Sequence, residues 1–196
     1  MVKLREIADI RTGLVLARKK GDVHDAVHQA YRVVSLKAFH ENGYLETDHL
    51  DTFVAQEVLD ATYLTRPGDV LVRLREPNIA VYIDAKSAGL VVPSHVAIIR
   101  SHNDAAVNEF LAYFINSNHI QVQLLKVSKG TTIPMIKTKD LADLDIALPA
   151  LESQHKTVSW LRLANRELEL MDALKTAKDR YKKEILDTII QQGIKA

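Results

Sequence analysis

Two aspartates and a lysine in the middle of the chain are of the residue types that hold a catalytic magnesium ion. Asp69 lies in the stretch RPGDVLVRL, and Asp84 and Lys86 lie in IDAK, at the end of an apolar stretch. Two carboxylates can bind Mg²⁺ while a lysine polarises the attacking water, which is the chemistry of restriction-type nucleases. The pattern is short and common, and the same residues also suit a Pro-Gly turn and a strand end. A Mg²⁺-dependent nuclease is therefore one alternative function for this chain.

A second set of side chains, in HDAVH, has the spacing of a zinc-protease helix. His24 and His28 are four residues apart, as in helices where two histidines bind zinc and an acid acts as the base. The acid here is Asp25, which is one methylene shorter than glutamate, and the flanking residues are too polar for a buried helix. We therefore predict a surface segment without a metal. The sequence has no G-x-G-x-x-G, P-loop or G-x-S-x-G motif, so a non-catalytic chain without a cofactor is expected.

The composition indicates a globular protein. The chain has 196 residues, 47% of them hydrophobic and 26% charged, which is enough for one core or one core with an extension. Charges interrupt the N-terminal MVKLREIADI, which argues against a secretory segment, and no apolar run is long enough to span a bilayer. The absence of cysteine favours a cytoplasmic location. The net charge of +1 means that any nucleic acid must meet a local basic face or be bound with a partner's help.

The apolar pattern predicts a mixed α/β (α+β) domain over residues 1–150. Alternating and β-branched stretches predict strands, and helical spacing predicts a helical hairpin and one short helix. The predicted strands are Tyr31–Phe39, Asp69–Leu74, Ile79–Asp84, Ser94–Arg100 and the residues before Pro149. The predicted helices are one around Ala106–Phe114 capped by Asn103 or Asp104, a second after Ser117, and a short one capped by Thr138.

The stretch from Leu151 to about Gln191 contains neither proline nor glycine and predicts one long helix. Forty helical residues measure about 60 Å, which is longer than the domain needs to cover its own core. We expect residues 151–196 to project and to pack on another helix as a coiled coil, because apolar residues recur at steps of three or four. A helix folded back on its own domain is the alternative. The stripe contains Leu161, Leu168, Met171, Leu174, Tyr181 and Ile185.

Three stretches resemble the specificity subunits of type I restriction-modification systems. KLREIADIRTG at 3–13 is similar to the opening of their target-recognition domains, and RPGDVLVRL at 66–74 is similar to their Gly-Asp-hydrophobic strand. GTTIPMIKTKDLADLDIALPALESQHKTV at 130–158 resembles the family's strongest signature, which ends in a glutamine that opens a helix. Family members carry two recognition domains and two long helices, whereas this chain has one of each. REPN stands where many of them are glycine-rich.

The resemblance implies a non-catalytic subunit that recognises part of a bipartite site in double-stranded DNA. Its partners would be the adenine-methylating modification subunits, which hold S-adenosylmethionine, and the restriction (translocase) subunit. Arginine suits guanine, asparagine suits adenine, and Ser, Thr and Lys suit phosphates or base edges. The expected DNA contacts are Arg73, Arg75, Asn78, Lys126, Ser128, Lys129, Thr131, Thr132, Lys137 and Lys139, with Arg11–Thr12 and Arg18–Lys20 as further candidates. A coiled-coil assembly factor that ignores DNA is the second alternative.

The single long helix predicts how two chains would associate. In a half-length chain the apolar stripe has no partner helix of its own, and a second copy can bury the same face through an isologous contact. We therefore expect an antiparallel, helix-mediated homodimer that recognises a split palindrome with a fixed spacer. Asn165 lies near the stripe and is a candidate for fixing the helix register.

Overall fold

The computed structural model describes residues 1–21, 29–102, 106–128 and 134–194. The chain divides into two compact units, Met1–His155 and Lys156–Ala196. In its described residues the first unit mixes strands with four α-helices, and a long helix begins near its end, so the predicted mixed α+β class with a long C-terminal helix is confirmed. The predicted His24, Asp25 and His28 set lies outside the described residues.

A four-stranded antiparallel sheet forms the centre of the first unit. Its strands lie in the order β2 (Ala8–Thr12), β7 (Val96–Ser101), β5 (Val70–Arg73) and β6 (Ala80–Tyr82). The predicted Pro-Gly turn precedes β5: the Asp69 amide donates to the Arg66 carbonyl at 3.0 Å, and Gly68 has φ of 93°, which favours glycine. Val70, Leu71 and Val72 are all buried, since both faces of the sheet are covered. This explains why the strand is continuously apolar.

Each face of the sheet packs on a different layer. One face packs against the helical hairpin of α2 (Asn108–Asn116) and α3 (Asn118–Ser128), in a core that includes Val70, Val72, Ile99, Leu111, Ile115, Ile120 and Leu124. The other face packs under loops, in a core that includes Val34, Phe39, Leu71, Val81, Ile98, Leu90 and Val92. A two-stranded hairpin of β3 (Gln29–Val33) and β4 (Asp51–Ala55) builds a third, smaller core around Phe53.

The N-terminus pairs with the end of the first unit. Strand β1 (Val2–Lys3) is antiparallel to β8 (Asp145–Ile146), and helix α1 (Leu4–Ile7) follows it directly. The Leu4 amide donates to the Leu144 carbonyl at 3.0 Å. The first and third of the family-like stretches are therefore direct neighbours in space. Lys3 pairs with Asp145 and Arg5 with Asp143 across the same contact.

Asn116, the last residue of α2, is hydrogen-bonded to the free edge of the sheet. Its Oδ1 accepts from the Ala80 amide at 2.8 Å, and its Nδ2 donates to the Ala80 carbonyl at 2.7 Å. Strand β6 stands at that edge. Gly43, with φ of 82°, lies over the Asn116 amide: a Cβ at position 43 would approach its Nδ2 to 2.8 Å. A side chain thus replaces the hydrogen bonds that a further strand would make with Ala80.

Several predicted element bounds needed correction. The predicted strand Tyr31–Phe39 ends at Val33, and Leu36–Ala38 forms a 3₁₀ turn. Helix α4 (Thr138–Ala142) is capped from within: the Lys137 amide donates to Asp140 Oδ2 at 2.7 Å, so Thr138 is the first helical residue and not the cap. Strands β2 and β4 were not predicted. The proposed caps Asn103 and Asp104 lie outside the described residues.

Helix α5 runs from Leu151 to Ile194, which confirms the long helix predicted from Leu151. Many of its large apolar side chains are exposed on the single chain. They include Trp160, Leu163, Leu168, Leu170, Met171, Leu174, Tyr181, Ile185, Leu186, Ile189 and Ile190. None of the helices in the described ranges has both the length and the apolar character needed to cross a membrane.

Candidate nucleic-acid interface

Two arginines and a histidine lie together where β5 ends and β7 begins. Arg73, the last residue of β5, is in register with Val96, the first residue of β7. One residue further on, the Leu74 amide donates to the His95 carbonyl at 3.0 Å. Arg75 follows Leu74 and has an exposed side chain. We call Arg73, Arg75 and His95 the strand-end cluster.

The strand-end cluster is cationic and lacks a carboxylate partner. In the described part of the chain, no ion pair joins Arg73 or Arg75 to an acid, and Arg73 Nε is buried without a hydrogen-bond acceptor. Burial lowers the pKa of the Arg73 guanidinium. Burial, and then the charges of Arg75 and Arg73, lower the pKa of His95. The site therefore offers donors and positive charge that no described residue satisfies.

Arg75 connects this cluster to the third family-like stretch. It forms an isolated antiparallel bridge with Met135, and the Ile136 amide donates to the Leu74 carbonyl at 2.9 Å. Lys137 and Lys139 follow with exposed side chains, and Lys126 is exposed near the end of α3. Lys129, Thr131 and Thr132 lie outside the described residues. The structure thus brings Arg73 and Arg75 beside residues 134–137, which a sequence separation of about sixty residues does not suggest.

Two of the predicted contacts have buried side chains. Asn78 is only 1% exposed; its Nδ2 donates to the Arg73 carbonyl at 3.0 Å, and its own backbone carbonyl accepts from Gln121 Nε2 at 3.1 Å. Ser128 is 2% exposed and donates to the Leu125 carbonyl at 3.2 Å. Both side chains are used by the fold, and we do not retain them among the proposed contacts. Asn78 instead supports the backbone from which the Arg73 side chain extends.

A second group of arginines lies at the opposite end of β5. A cleft of about 380 Å³ is lined by Asp9, Arg11, Thr62, Arg66 and Arg100. Arg100 is held by the buried Asp69: its Nε lies 2.7 Å from Oδ1 and its Nη2 lies 2.9 Å from Oδ2. Burial and the nearby Arg100 lower the pKa of Arg11. Among the other further candidates, Lys19 is paired with Glu57.

The carboxylates of the nuclease alternative have structural partners. Both Asp69 oxygens bond to Arg100, and Oδ2 also accepts from the Arg66 amide at 2.9 Å. Asp84 Oδ1 accepts from the amides of Lys86 and Ser87 and so caps the 3₁₀ turn Ala85–Ser87. No group of His, Asp and Glu side chains within the described ranges is arranged to hold a metal ion. The geometry therefore does not favour the Asp69–Asp84–Lys86 nuclease.

Gln154, the glutamine of the third family-like stretch, is fully buried in the first unit. Its Oε1 accepts from the Val107 amide at 2.8 Å, just before α2, and its Nε2 donates to the Pro149 carbonyl at 2.9 Å. This side chain therefore joins the start of α2 to the turn that precedes α5. Its position in the signature has a structural explanation that needs no ligand.

Replacing Gln154 with leucine should lower the free energy of unfolding by about 1–3 kcal/mol, because the Val107 amide and the Pro149 carbonyl would lose their buried partner. A urea titration followed by circular dichroism measures the change. Gln56 has an exposed side chain, so Gln56→Leu is the matched control, with an effect within about 0.5 kcal/mol. Equal stabilities of the two variants would show that Gln154 has no such role.

His95 is the one member of the cluster that sequence reasoning missed. It lies in the predicted strand SHVAIIR and has no metal-ligand spacing. Only the antiparallel register of β5 and β7, which is a long-range property, shows that it faces the end of the Gly-Asp strand.

Comparison with known proteins places this fold among restriction-modification subunits. Residues 1–177 match the model of the type I restriction modification DNA specificity domain. The HsdS subunit from Thermoanaerobacter tengcongensis is similar in structure, with a TM-score of 0.66 at 21% identity over 94% of this chain and 46% of that one. A chain from a type I R-M system studied for its complex assembly gives 0.59 at 22% identity, over 93% and 41%.

The chain belongs to the type I restriction modification DNA specificity domain family. Among curated relatives, the type I restriction enzyme MjaVIII specificity subunit of Methanocaldococcus jannaschii is 24% identical over 205 residues, which cover all of this chain and 46% of that protein. The chain therefore spans about half the length of the relatives that it matches.

Proposed function

We propose that this chain is the DNA-recognition component of a type I restriction-modification complex. It would direct adenine methylation and restriction to a bipartite DNA site without a catalytic group or cofactor of its own. The family match and the named relative support the specificity role. Its partners would be modification subunits that hold S-adenosylmethionine and a restriction (translocase) subunit, in the cytoplasm. Residues 1–150 would bind DNA, and residues 151–196 would form the helix for dimerisation and partner docking.

The single observation that carries this proposal is the positive charge of the strand-end cluster, which has no acidic partner among the described residues. Arg73 Nε is a buried donor without an acceptor in the described part of the chain, and such a donor costs free energy in the free protein. Phosphate oxygens, and the O6 and N7 atoms of guanine, are acceptors that would remove this cost. The cluster also lies beside the segment that follows the signature loop, through the Arg75–Met135 bridge. The proposed contacts are Arg73, Arg75, Lys126, Lys129, Thr131, Thr132, Lys137 and Lys139.

The weak net charge fits a subunit that does not bind DNA alone. With +1 overall, the chain has little long-range attraction for a polyanion. Phosphate contacts dominate the affinity of most DNA-binding proteins, whereas base contacts determine sequence preference. We infer that the modification subunits supply many of the phosphate contacts, and that this chain supplies the base contacts.

We also propose an antiparallel homodimer through α5. The stripe side chains Leu168, Met171, Leu174 and Tyr181 are 45%, 56%, 55% and 64% exposed on the single chain. Relatives of about twice the length have room for a second copy of the same unit. A second chain would then take the place of the missing half, with Asn165 as the candidate for setting register.

The Arg75→Ala chain should bind its preferred DNA about tenfold more weakly and lose discrimination at one base pair, since a bidentate arginine contact provides about 1–3 kcal/mol of discrimination. Selection from a randomised duplex pool, with the modification subunits present, measures both effects. By contrast, Lys137→Ala should weaken all sequences equally and reduce the salt slope by about one, which is the behaviour of a phosphate contact.

Arg5→Ala serves as the matched control, since Arg5 is an exposed arginine that already has an acidic partner, Asp143. Its DNA preference should be that of the original chain. If Arg73→Ala, Arg75→Ala and Lys137→Ala all retain full binding, the DNA-binding face is elsewhere on the domain. If the original chain shows no sequence preference even with its partners, it is an assembly factor.

A further inference from the structure

His95 is positioned to take part in whatever the strand-end cluster binds. Its backbone carbonyl is fixed by the Leu74 amide, between the two arginine positions of β5 and the segment after it. Its side chain is half-buried, so part of the ring remains accessible. Neutral imidazole can donate one hydrogen bond and accept another, whereas imidazolium donates two. The ring can therefore adapt to the ligand that the arginines attract.

We propose that His95 is a third DNA-contacting residue of the strand-end cluster, and that binding of DNA acceptor atoms there is coupled to the uptake of a proton by its ring. This inference rests on the proposed function. The group bound there is a hydrogen-bond acceptor with a negative charge or a strong negative partial charge. In DNA it has two sources, which are the phosphate oxygens and the O6 and N7 edge of guanine.

The electrostatic surroundings of His95 differ between the free and the bound chain. Among the described residues, the charged groups that act on it are Arg75 and Arg73, and both are cationic. Together with burial, which is the larger cause, they lower the pKa of His95 and so favour the neutral ring in the free chain. An acceptor that lies between the arginines offsets their repulsion and also bonds to the charged form of the ring. Both effects favour imidazolium in the complex.

The direction of the pH dependence follows from these two states. The pKa of His95 is higher in the complex than in the free chain, so the complex binds more protons within the window between the two values. Affinity therefore rises as pH falls through the higher, bound pKa, and it levels off below the lower, free one. A bound pKa one pH unit above the free pKa corresponds to about tenfold in affinity.

The test compares the full chain with its His95→Gln variant between pH 5.5 and 8.0. Fluorescence anisotropy with a 30-base-pair duplex that carries the preferred site, in the presence of the modification subunits, gives the Kd at each pH. We expect the original chain to bind about tenfold more tightly at the acidic end, and the His95→Gln variant to lose most of that gain. His49 is an exposed histidine paired with Glu46, so His49→Gln should keep the full pH dependence.

Two measurements on the unmodified chain test the inference even if the variant folds poorly. Calorimetry in buffers of different ionisation enthalpy should show uptake of up to one proton on binding. Histidine NMR titration should show that the pKa of His95 lies below the ordinary histidine value in the free chain and rises when DNA binds. A duplex that contains only A·T pairs distinguishes the two sources of acceptor atoms. If proton uptake persists with this duplex, the acceptors are phosphate oxygens; if it disappears, they are the guanine atoms.

The possible outcomes separate this inference from the proposed function. Unchanged pH dependence in His95→Gln, with no proton uptake by the original chain, overturns the role of His95. If Arg75→Ala still weakens binding in that case, the proposed DNA recognition stands. If the original chain does not bind DNA at any pH, alone or with its modification subunits, the proposed function falls as well.

Discussion

The Asp69→Ala chain should be less stable than the original by about 3–5 kcal/mol, which is the usual effect of removing one partner from a buried ion pair. The side chain of Asp69 is 3% exposed and that of Arg100 is 17% exposed, so the freed guanidinium would remain largely out of water. The Arg66 amide would also lose its acceptor. A urea titration of the full chain measures the loss. Because domains are stable by only about 5–15 kcal/mol, partial unfolding at 37 °C is expected.

Asp84→Ala is the informative comparison for Asp69→Ala, because both aspartates belong to the nuclease-like set. Asp84 is exposed and caps a 3₁₀ turn, so its loss should cost about 0.5–2 kcal/mol, in the range of lost caps. We expect no Mg²⁺-dependent DNA cleavage by the original chain, and none by either variant. If the purified chain cleaves DNA with Mg²⁺ and Asp84→Ala abolishes this while the fold persists, the nuclease alternative returns.

Replacing Leu168 and Met171 with glutamate should convert the proposed homodimer into a monomer at micromolar concentration. Burying a large apolar side chain stabilises the dimer by about 1.5–3 kcal/mol. Each substituted residue is present on both chains of an isologous contact, so its loss counts twice. Two buried carboxylates per chain would add a desolvation cost and repel their copies. Sedimentation equilibrium measures the mass, and circular dichroism checks that α5 remains helical.

Ala173→Glu with Thr176→Glu is the matched control for the stripe. These exposed residues have the same spacing of three and add the same charge, but with 3.6 residues per turn they lie on the other side of the helix. This variant should remain dimeric. A stable monomer of the original chain at micromolar concentration, with α5 intact, would contradict the homodimer and leave the stripe for a different partner.

Local sequence patterns predicted the elements whose apolar residues follow one uninterrupted pattern. Strand β5 was visible because a Pro-Gly turn precedes the run Val70–Val72, and α5 was visible because forty residues repeat one apolar spacing. Strands β2 and β4 were missed because both are short and carry charged residues at exposed or partly exposed positions. In β2, Asp9 and Arg11 extend from the same face as Arg100, which only the pairing with β7 shows.

The candidate site could be predicted only in part, because the contacts of its side chains depend on residues that are distant in the sequence. Arg73 and Arg75 were chosen by residue type, and the structure leaves both unpaired among the described residues. Asn78 was chosen on the same grounds, yet its amide faces the Arg73 carbonyl inside the fold. Whether a polar side chain turns inward depends on its non-local neighbours. His95 was missed for the converse reason, since its neighbours lie some twenty residues earlier in the chain.

The Asn116 amide has a consequence for how this domain avoids self-association. An exposed sheet edge is a template for edge-to-edge aggregation, because its unpaired amides and carbonyls can accept a strand from another molecule. At Ala80 both groups are already occupied by Asn116, and Gly43 lets that amide fit closely. An intermolecular β-sheet cannot grow from this point of β6 without first displacing the amide. At Ala80, therefore, this edge is protected against pairing with a strand of another molecule, even at high local concentration.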